Sequence, residues 1–279
     1  MPENTEDAQP LKASRFALRV DQGETHAVAD VPESVLDEVT GRLHSYETAG
    51  TLDGPGIRFV AFLTGCHFRC LYCHNPDTWR AGNGRRVTVH EVMATVETYA
   101  DFLIKYGGGV TLSGGEVLVQ DRFAANLLRR LKERGLHTAL DTNGYLGDKV
   151  TPQMMEDVDL WLLDIKSFDP DIHKAVTGAD VEPVLEFARR LSDEGRTLWV
   201  RFVLVPGLTD DIDNVEGLAD FVASLQGVKR VEVLPFHKMG EYKWRELGLE
   251  YKLANTTEPD PELMDRVYHQ FASRGLYVV

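Results

Sequence analysis

Residues 53–79 read DGPGIRFVAFLTGCHFRCLYCHNPDTW and hold all three cysteines of the 279-residue chain, at Cys66, Cys70 and Cys73. Within this stretch IRFVAFL (57–63) is a short apolar run rich in branched and aromatic residues, suited to a buried parallel strand that delivers the cysteines at its C-terminal end. Three thiolates within eight residues are soft ligands that one loop can wrap around one face of a metal centre. No fourth cysteine closes the set, so a position stays open. Structural zinc normally takes four protein ligands, and only His67 and His74 stand near enough in sequence to supply the last. A four-iron cluster with three cysteine-bound irons and one free iron suits the spacing better than zinc does.

Outward from the cysteines, Thr88 and Glu91 form a capping box that opens a helix running to about Tyr106, with Val92, Val96, Tyr99 and Leu103 on one face. A second strand, GVTLSGG (109–115), follows, and then an amphipathic helix over 121–134 with Gly135 just past its end. Later strands read HTALDT (137–142), LWLLDIK (160–166), TLWVRFVLV (197–205) and VKRVEVLPF (228–236). Helical segments lie near 151–157, 183–194, 212–226 and 261–274. Six strands with intervening helices imply parallel pairing and right-handed crossovers, and therefore an α/β fold, a partial TIM-like (β/α)6 barrel over residues 41–279. Residues 1–40 carry nine acids and three bases with no sustained period, as expected of a mobile or loosely docked extension.

The net charge of −14 argues against nucleic acid and against an anionic membrane as partners. No apolar run approaches the roughly 20 residues of a membrane span, and the N-terminus does not read as a secretory signal. Three clustered cysteines are no disulfide framework. A cytoplasmic location is the expectation.

In a barrel of this kind the chemistry sits at the C-terminal strand ends. These carry the cysteine loop, Ser113-Gly114-Gly115-Glu116, Asp141-Thr142-Asn143-Gly144, Asp164-Ile165-Lys166, Arg201 and His237. The run GGGVTLSGGE lacks the Gly-Lys-Ser/Thr ending of a phosphate loop, so triphosphate binding is not expected. Asp141 and Asp164 would repel each other and an anionic cluster, which a bound cation would relieve.

The spacing Cys66-HFR-Cys70-LY-Cys73, with Tyr72 before the last cysteine, resembles the signature of the radical S-adenosylmethionine (SAM) enzymes. DGPGIRF before it, CHNPDTW after it and LPFHKMGEYKWRELGLEYKL near the C-terminus resemble the pyruvate formate-lyase activating enzymes, which install a glycyl radical in a partner protein. The resemblance runs from about Arg42 to the C-terminus. It implies a 4Fe-4S cluster on Cys66, Cys70 and Cys73, and SAM cleaved to methionine and a 5'-deoxyadenosyl radical that takes hydrogen from a glycine of the partner. By the same resemblance Gly115, with Gly114 and Glu116 nearby, meets the amino group of SAM, although Val117 stands where many relatives have proline. Tyr72, Cys73, His74, Asp164, Ile165, Lys166, Arg201 and His237 would surround the rest of the cofactor. A monovalent cation, sodium or potassium, would take Asp141, Thr142, the Leu162 carbonyl and Asp164. Asp53 would meet the partner's glycine loop, although a turn aspartate before Gly54 and Pro55 reads almost as well. The partners implied are a glycyl-radical enzyme, pyruvate formate-lyase, and an electron-transfer protein such as flavodoxin or ferredoxin. Alternatives are an activase of another glycyl-radical enzyme, a radical SAM enzyme acting on a small molecule, or a metal-binding module without catalysis. The 33 residues between Cys73 and Gly107 hold no cysteine, so no ferredoxin-like insert is present there and an activase with a single cluster is favoured.

Overall fold

The computed structural model describes residues 38–279, so the expected acidic extension lies outside the described residues except for its last three. Eight strands form one sheet: β1 (Thr40–Gly50), β2 (Arg58–Leu63), β3 (Arg85–Thr88), β4 (Gly109–Gly114), β5 (His137–Thr142), β6 (Leu160–Asp164), β7 (Leu198–Leu204) and β8 (Val228–Pro235). Their order is β3-β1-β2-β4-β5-β6-β7-β8. From β2 through β8 each neighbouring pair is parallel. These six are the strands read from the sequence; β2, β4, β5, β6 and β7 are buried along most of their length, as strands covered on both faces must be, whereas β8 at the edge is buried only over residues 231–233.

β1 and β3 were not expected. β1 runs antiparallel to both β2 and β3, and its residues are mostly exposed apart from Gly41 and Leu43, so TGRLHSYETAG carries too little apolar alternation to announce a strand. β3 is only four residues long, RRVT. At the other edge, among the described residues, β8 is met by no further strand but a parallel bridge between Val231 and Val278, so the barrel stays open. The sheet nevertheless curls: Arg201 on β7 donates to the Leu52 carbonyl, in the loop ahead of β2, at 2.5 Å.

Helices α1 (Val89–Lys105), α2 (Asp121–Glu133), α3 (Pro152–Asp157), α4 (Pro170–Thr177), α5 (Glu182–Asp193), α6 (Ile212–Ser224), α7 (Glu241–Glu246) and α8 (Pro261–Ala272) connect or flank the strands. The capping box of α1 is present in full: Thr88 Oγ1 accepts from Glu91 N, and Glu91 Oε2 accepts from Thr88 N. Val92, Val96, Ala100 and Leu103 of α1 bury against the sheet, each such aliphatic contributing about 1.5–3 kcal/mol as Val or Leu. α4 and α7 are short and were not read from the sequence. Both turn out to hold the cysteine loop.

Candidate active site

The C-terminal strand ends enclose a cavity of about 830 Å³, within the range of small-molecule and cofactor sites. Its wall begins where β2 ends. The chain turns at Gly65 (φ +99°), where Gly65 N donates to Thr78 O at 2.7 Å and Cys66 N to Trp79 O at 3.0 Å. The end of α4 then anchors the loop from outside, because Arg69 N and Leu71 N donate to the Thr177 and Val176 carbonyls at 2.8 and 3.0 Å. From the C-terminal side α7 clamps it. Trp244 Nε1 donates to Cys73 O at 2.8 Å, and Lys243 Nζ reaches Asn75 Oδ1 at 2.8 Å and the Asp77 carboxylate at 3.0 Å. Gly240, just before α7, packs so tightly on His74 that a Cβ there would stand 2.6 Å from the His74 Cα.

All three thiols are free and line the cavity. Burial pushes Cys66 up to about 12 and also raises Cys70 and Cys73; Lys166 pulls the last two back. Bare thiolates are therefore costly here, and ligation by iron, which takes the thiolate form, would offset that cost. The Phe68 backbone near Cys66, and the Asn75 backbone and Trp79 side chain near Cys73, act against burial and favour the thiolate. Such hydrogen bonding stabilises thiolate sulfur in iron-sulfur centres. Among the described residues no three His, Cys, Asp or Glu side chains converge to hold a single metal ion. Three thiols that share one wall without converging suit a cluster in which each binds its own iron. Zinc also lacks a fourth ligand. The His67 ring lies against Phe68 and Tyr145, and His74 Nε2 sits 3.2 Å from His237 O with its ring on that of His237. The residues present fit a 4Fe-4S cluster.

Beside the cysteines, β4 ends in two glycines that nothing larger could replace. Gly114 has φ +119° and an added Cβ would lie 2.2 Å from Leu63 O; at Gly115 it would lie 2.4 Å from Gly65 O. Backbone thus reaches the cavity wall directly. Glu116 does not line the cavity. It is buried behind the wall, where Oε1 accepts from Leu118 N and Thr142 Oγ1 and Oε2 from Asn143 N, tying the end of β4 to that of β5. Burial raises its carboxyl to about 7 despite those three bonds. The Ile165 and Leu162 side chains are likewise in the core and not on the cavity surface. Every other residue expected at the site, including Asp53, lines the cavity.

The charges form two sets. Lys166 Nζ lies 2.8 Å from Asp164 and 5.8 Å above the Tyr72 ring; burial pulls its pKa down, but Asp164, Tyr72 and Cys70 together push it above the usual lysine value and keep it protonated. Arg201 is the hub of the other set. Its Nε donates to Glu232 at 2.8 Å, and NH1 lies 3.4 Å from Asp141 and 3.8 Å from Asp53. Ser113 Oγ also donates to Asp141 Oδ2, at 2.6 Å. The carboxylate repulsion inferred from sequence is thus partly answered by the protein's own cations. Burial still pushes Asp141 up to about 6, with Arg201 opposing. Three buried polar atoms on this wall have no partner among the described residues: Asp141 Oδ1, Tyr72 Oη and His237 Nδ1. Unpaired buried polar groups are costly, and their grouping on one cavity marks where a polar ligand would satisfy them.

Ser113, Glu232 and Trp244 were not among the site residues expected. Ser113 stood in the glycine motif. Trp244 is the lone tryptophan of the C-terminal stretch. Glu232 became visible only through the register that sets it opposite Arg201.

A model of the radical SAM superfamily matches residues 60–222. The chain is 45% identical over 231 residues to the pyruvate formate-lyase 1-activating enzyme of Escherichia coli K12, an alignment covering 82% of this chain and 94% of that one. It is 44% identical over 244 residues to the pyruvate formate-lyase-activating enzyme of Staphylococcus epidermidis, covering 84% and 96%. Among solved structures, a domain of pyruvate-formate lyase-activating enzyme from Bacteroides vulgatus superposes with a TM-score of 0.52 at 26% identity, covering 62% of this chain and 98% of that one.

Proposed function

This chain belongs to the radical SAM superfamily and, within it, to the pyruvate formate-lyase-activating enzymes, and from that membership we infer what each part of its cavity does. It activates pyruvate formate-lyase by placing a radical on a backbone glycine of that enzyme. When bound, the 4Fe-4S cluster and SAM supply the reductive cleavage and the 5'-deoxyadenosyl radical that takes hydrogen from the glycine α-carbon. The residues bind, orient and exclude water.

Cys66, Cys70 and Cys73 would hold the cluster and leave one iron for SAM. The observation that carries this reading is the meeting of three free, half-buried thiols with the unpartnered Tyr72 Oη, Asp141 Oδ1 and His237 Nδ1 on one wall. Gly114 and Gly115 would let the backbone approach the SAM amino group. Lys166, Arg201 and His237 would face its carboxylate and ribose, with Tyr72 and His74 beside the last cysteine. Asp164 shares the wall with Lys166; Glu116, Ile165 and Leu162 support it from behind. Asp53, from the loop ahead of β2, would meet the incoming glycine loop.

A monovalent cation, sodium or potassium, is also part of this reading, with Asp141, Thr142, Asp164 and the Leu162 carbonyl around it. Its support is Asp141 Oδ1, buried and unpaired beside Asp164. Asp141→Asn should weaken SAM binding about 10- to 100-fold and abolish its response to added potassium, while iron content stays at four per chain. Unchanged SAM affinity and ion response by isothermal titration would exclude the cation. The electron would come from a flavodoxin or ferredoxin. Among the described residues no helix is long and apolar enough to cross a membrane; a cytoplasmic setting, away from membrane and nucleic acid, completes the proposal.

The test of the function follows the hydrogen atom. With pyruvate formate-lyase made from glycine deuterated at the α-carbon, the released 5'-deoxyadenosine should carry deuterium, up to one equivalent per radical formed. Unlabelled product beside a fully formed glycyl radical would rule out direct abstraction. Labelling only from a small-molecule substrate would move the chain to a different radical SAM activity.

A further inference from the structure

The reaction consumes one electron per SAM cleaved, and the chain has no second group of cysteines to relay it from elsewhere. The electron must enter beside the cysteine loop. One flank of that loop has an unusual surface. Thr64 N donates to Arg42 O at 3.0 Å, Thr64 Oγ1 to Ala81 O at 2.9 Å, and Cys66 N to Trp79 O at 3.0 Å, so β1 and residues 79–81 lie directly against the approach to Cys66. This flank exposes Arg42, Arg80 and Arg86, and beside them Arg69, which stacks on Trp79 at 4.9 Å and donates to Cys66 O at 2.7 Å.

None of these four arginines has a carboxylate partner among the described residues. Arg42 and Arg86 stand directly opposite each other in the β1·β3 ladder, an arrangement of like charges that destabilises a sheet. Residues 64–90 hold four arginines against a single carboxylate, Asp77, which is already bound by Lys243 and His44. The whole chain carries −14. A cationic island at one edge of an acidic protein attracts a partner of opposite charge while the rest of the surface repels it.

We propose that the Arg42–Arg80–Arg86 flank is the docking face for a small acidic one-electron carrier, which delivers its electron to the cluster from the Cys66 side of the loop. The inference rests on the cluster assignment given under the proposed function. In the transfer the carrier loses one electron and the cluster gains it; no atom moves between the two proteins.

The test uses the cluster-loaded full chain, flavodoxin hydroquinone as the carrier, and the double variant Arg80→Glu/Arg86→Glu. Anaerobic stopped-flow absorbance should show cluster reduction slowed about 10- to 100-fold at roughly 50 mM salt, with the difference shrinking above about 0.5 M salt. Flavodoxin binding, followed by flavin fluorescence, should weaken in parallel. Arg80→Gln/Arg86→Gln should fall between the two. Reduction by photoexcited 5-deazaflavin, a small neutral reductant, and the SAM cleavage it drives should be unchanged in all three proteins. Equal flavodoxin rates, or a salt-independent deficit, would overturn the proposal. So would a loss with deazaflavin as well, which would make the arginines part of the fold. Normal flavodoxin reduction with impaired glycyl radical formation would assign the face to the lyase and also overturn it. If the unmodified chain cleaved no SAM with deazaflavin, the proposed function itself would fail.

Discussion

Cys70→Ser is expected to yield a folded protein that retains no four-iron cluster and cleaves SAM only at background. Cys70 lies on the cavity wall among buried residues, and its thiol is raised by burial alone more than by any neighbouring charge. A serine hydroxyl there is a harder and far more weakly acidic ligand, and no fourth cysteine exists to take its place. The loop itself should survive, since its hydrogen bonds to Thr177, Val176 and Trp244 come from backbone groups that serine leaves in place. Iron and sulfide analysis with far-UV circular dichroism separates the two effects. Four irons per chain and undiminished SAM cleavage in Cys70→Ser would refute the ligand assignment.

Arg201→Met is expected to destabilise the fold by about 3–5 kcal/mol, the usual cost of removing one member of a buried ion-pair set. The side chain is buried and faces Glu232, Asp141 and Asp53 together, so methionine leaves three carboxylates in the barrel without their shared cation. It also removes the bond to Leu52 O that ties the loop ahead of β2 to β7. For a chain of this size the loss corresponds to a fall in Tm of roughly 6–20 °C. Arg201→Lys should recover only part of it, because one ammonium cannot span the same acceptors as a planar guanidinium. Were Arg201 only a cofactor contact, as the sequence alone suggested, Arg201→Met would weaken SAM binding and leave the melting temperature of the cluster-free protein unchanged. Differential scanning calorimetry on that form decides between the two.

The contrast over Arg201 shows what can be read from a sequence and what cannot. The six parallel strands, the Thr88–Glu91 cap and the cysteine loop were legible because each rests on neighbours in the chain: apolar runs, a three-residue capping spacing, three thiols within eight residues. Arg201 was legible as a polar residue at a strand end. Its four partners were not, since they lie on β5, β8 and the loop ahead of β2 and depend on strand register and curl. The edge strands β1 and β3 failed for another reason. β1 is long but mostly exposed and β3 has only four residues, so neither shows the apolar period that a buried strand imposes. Glu116 was placed near the cofactor from its motif, and only its three acceptor bonds reveal that it braces the wall from behind.

The clamp on the cysteine loop bears on how the protein is made. Trp244 is 171 residues downstream of the carbonyl it holds, and the α4 carbonyls lie about a hundred residues past the loop. At roughly 5–20 residues per second, a ribosome that has just released Cys73 needs about 9–35 seconds more before Trp244 is even synthesised. Through that interval the thiols belong to an unbraced loop, free to meet oxidants or stray metal. The motif is thus a site only in the finished chain. A nascent or C-terminally shortened protein would carry the same three cysteines without the Trp244 and Lys243 contacts that fix their loop.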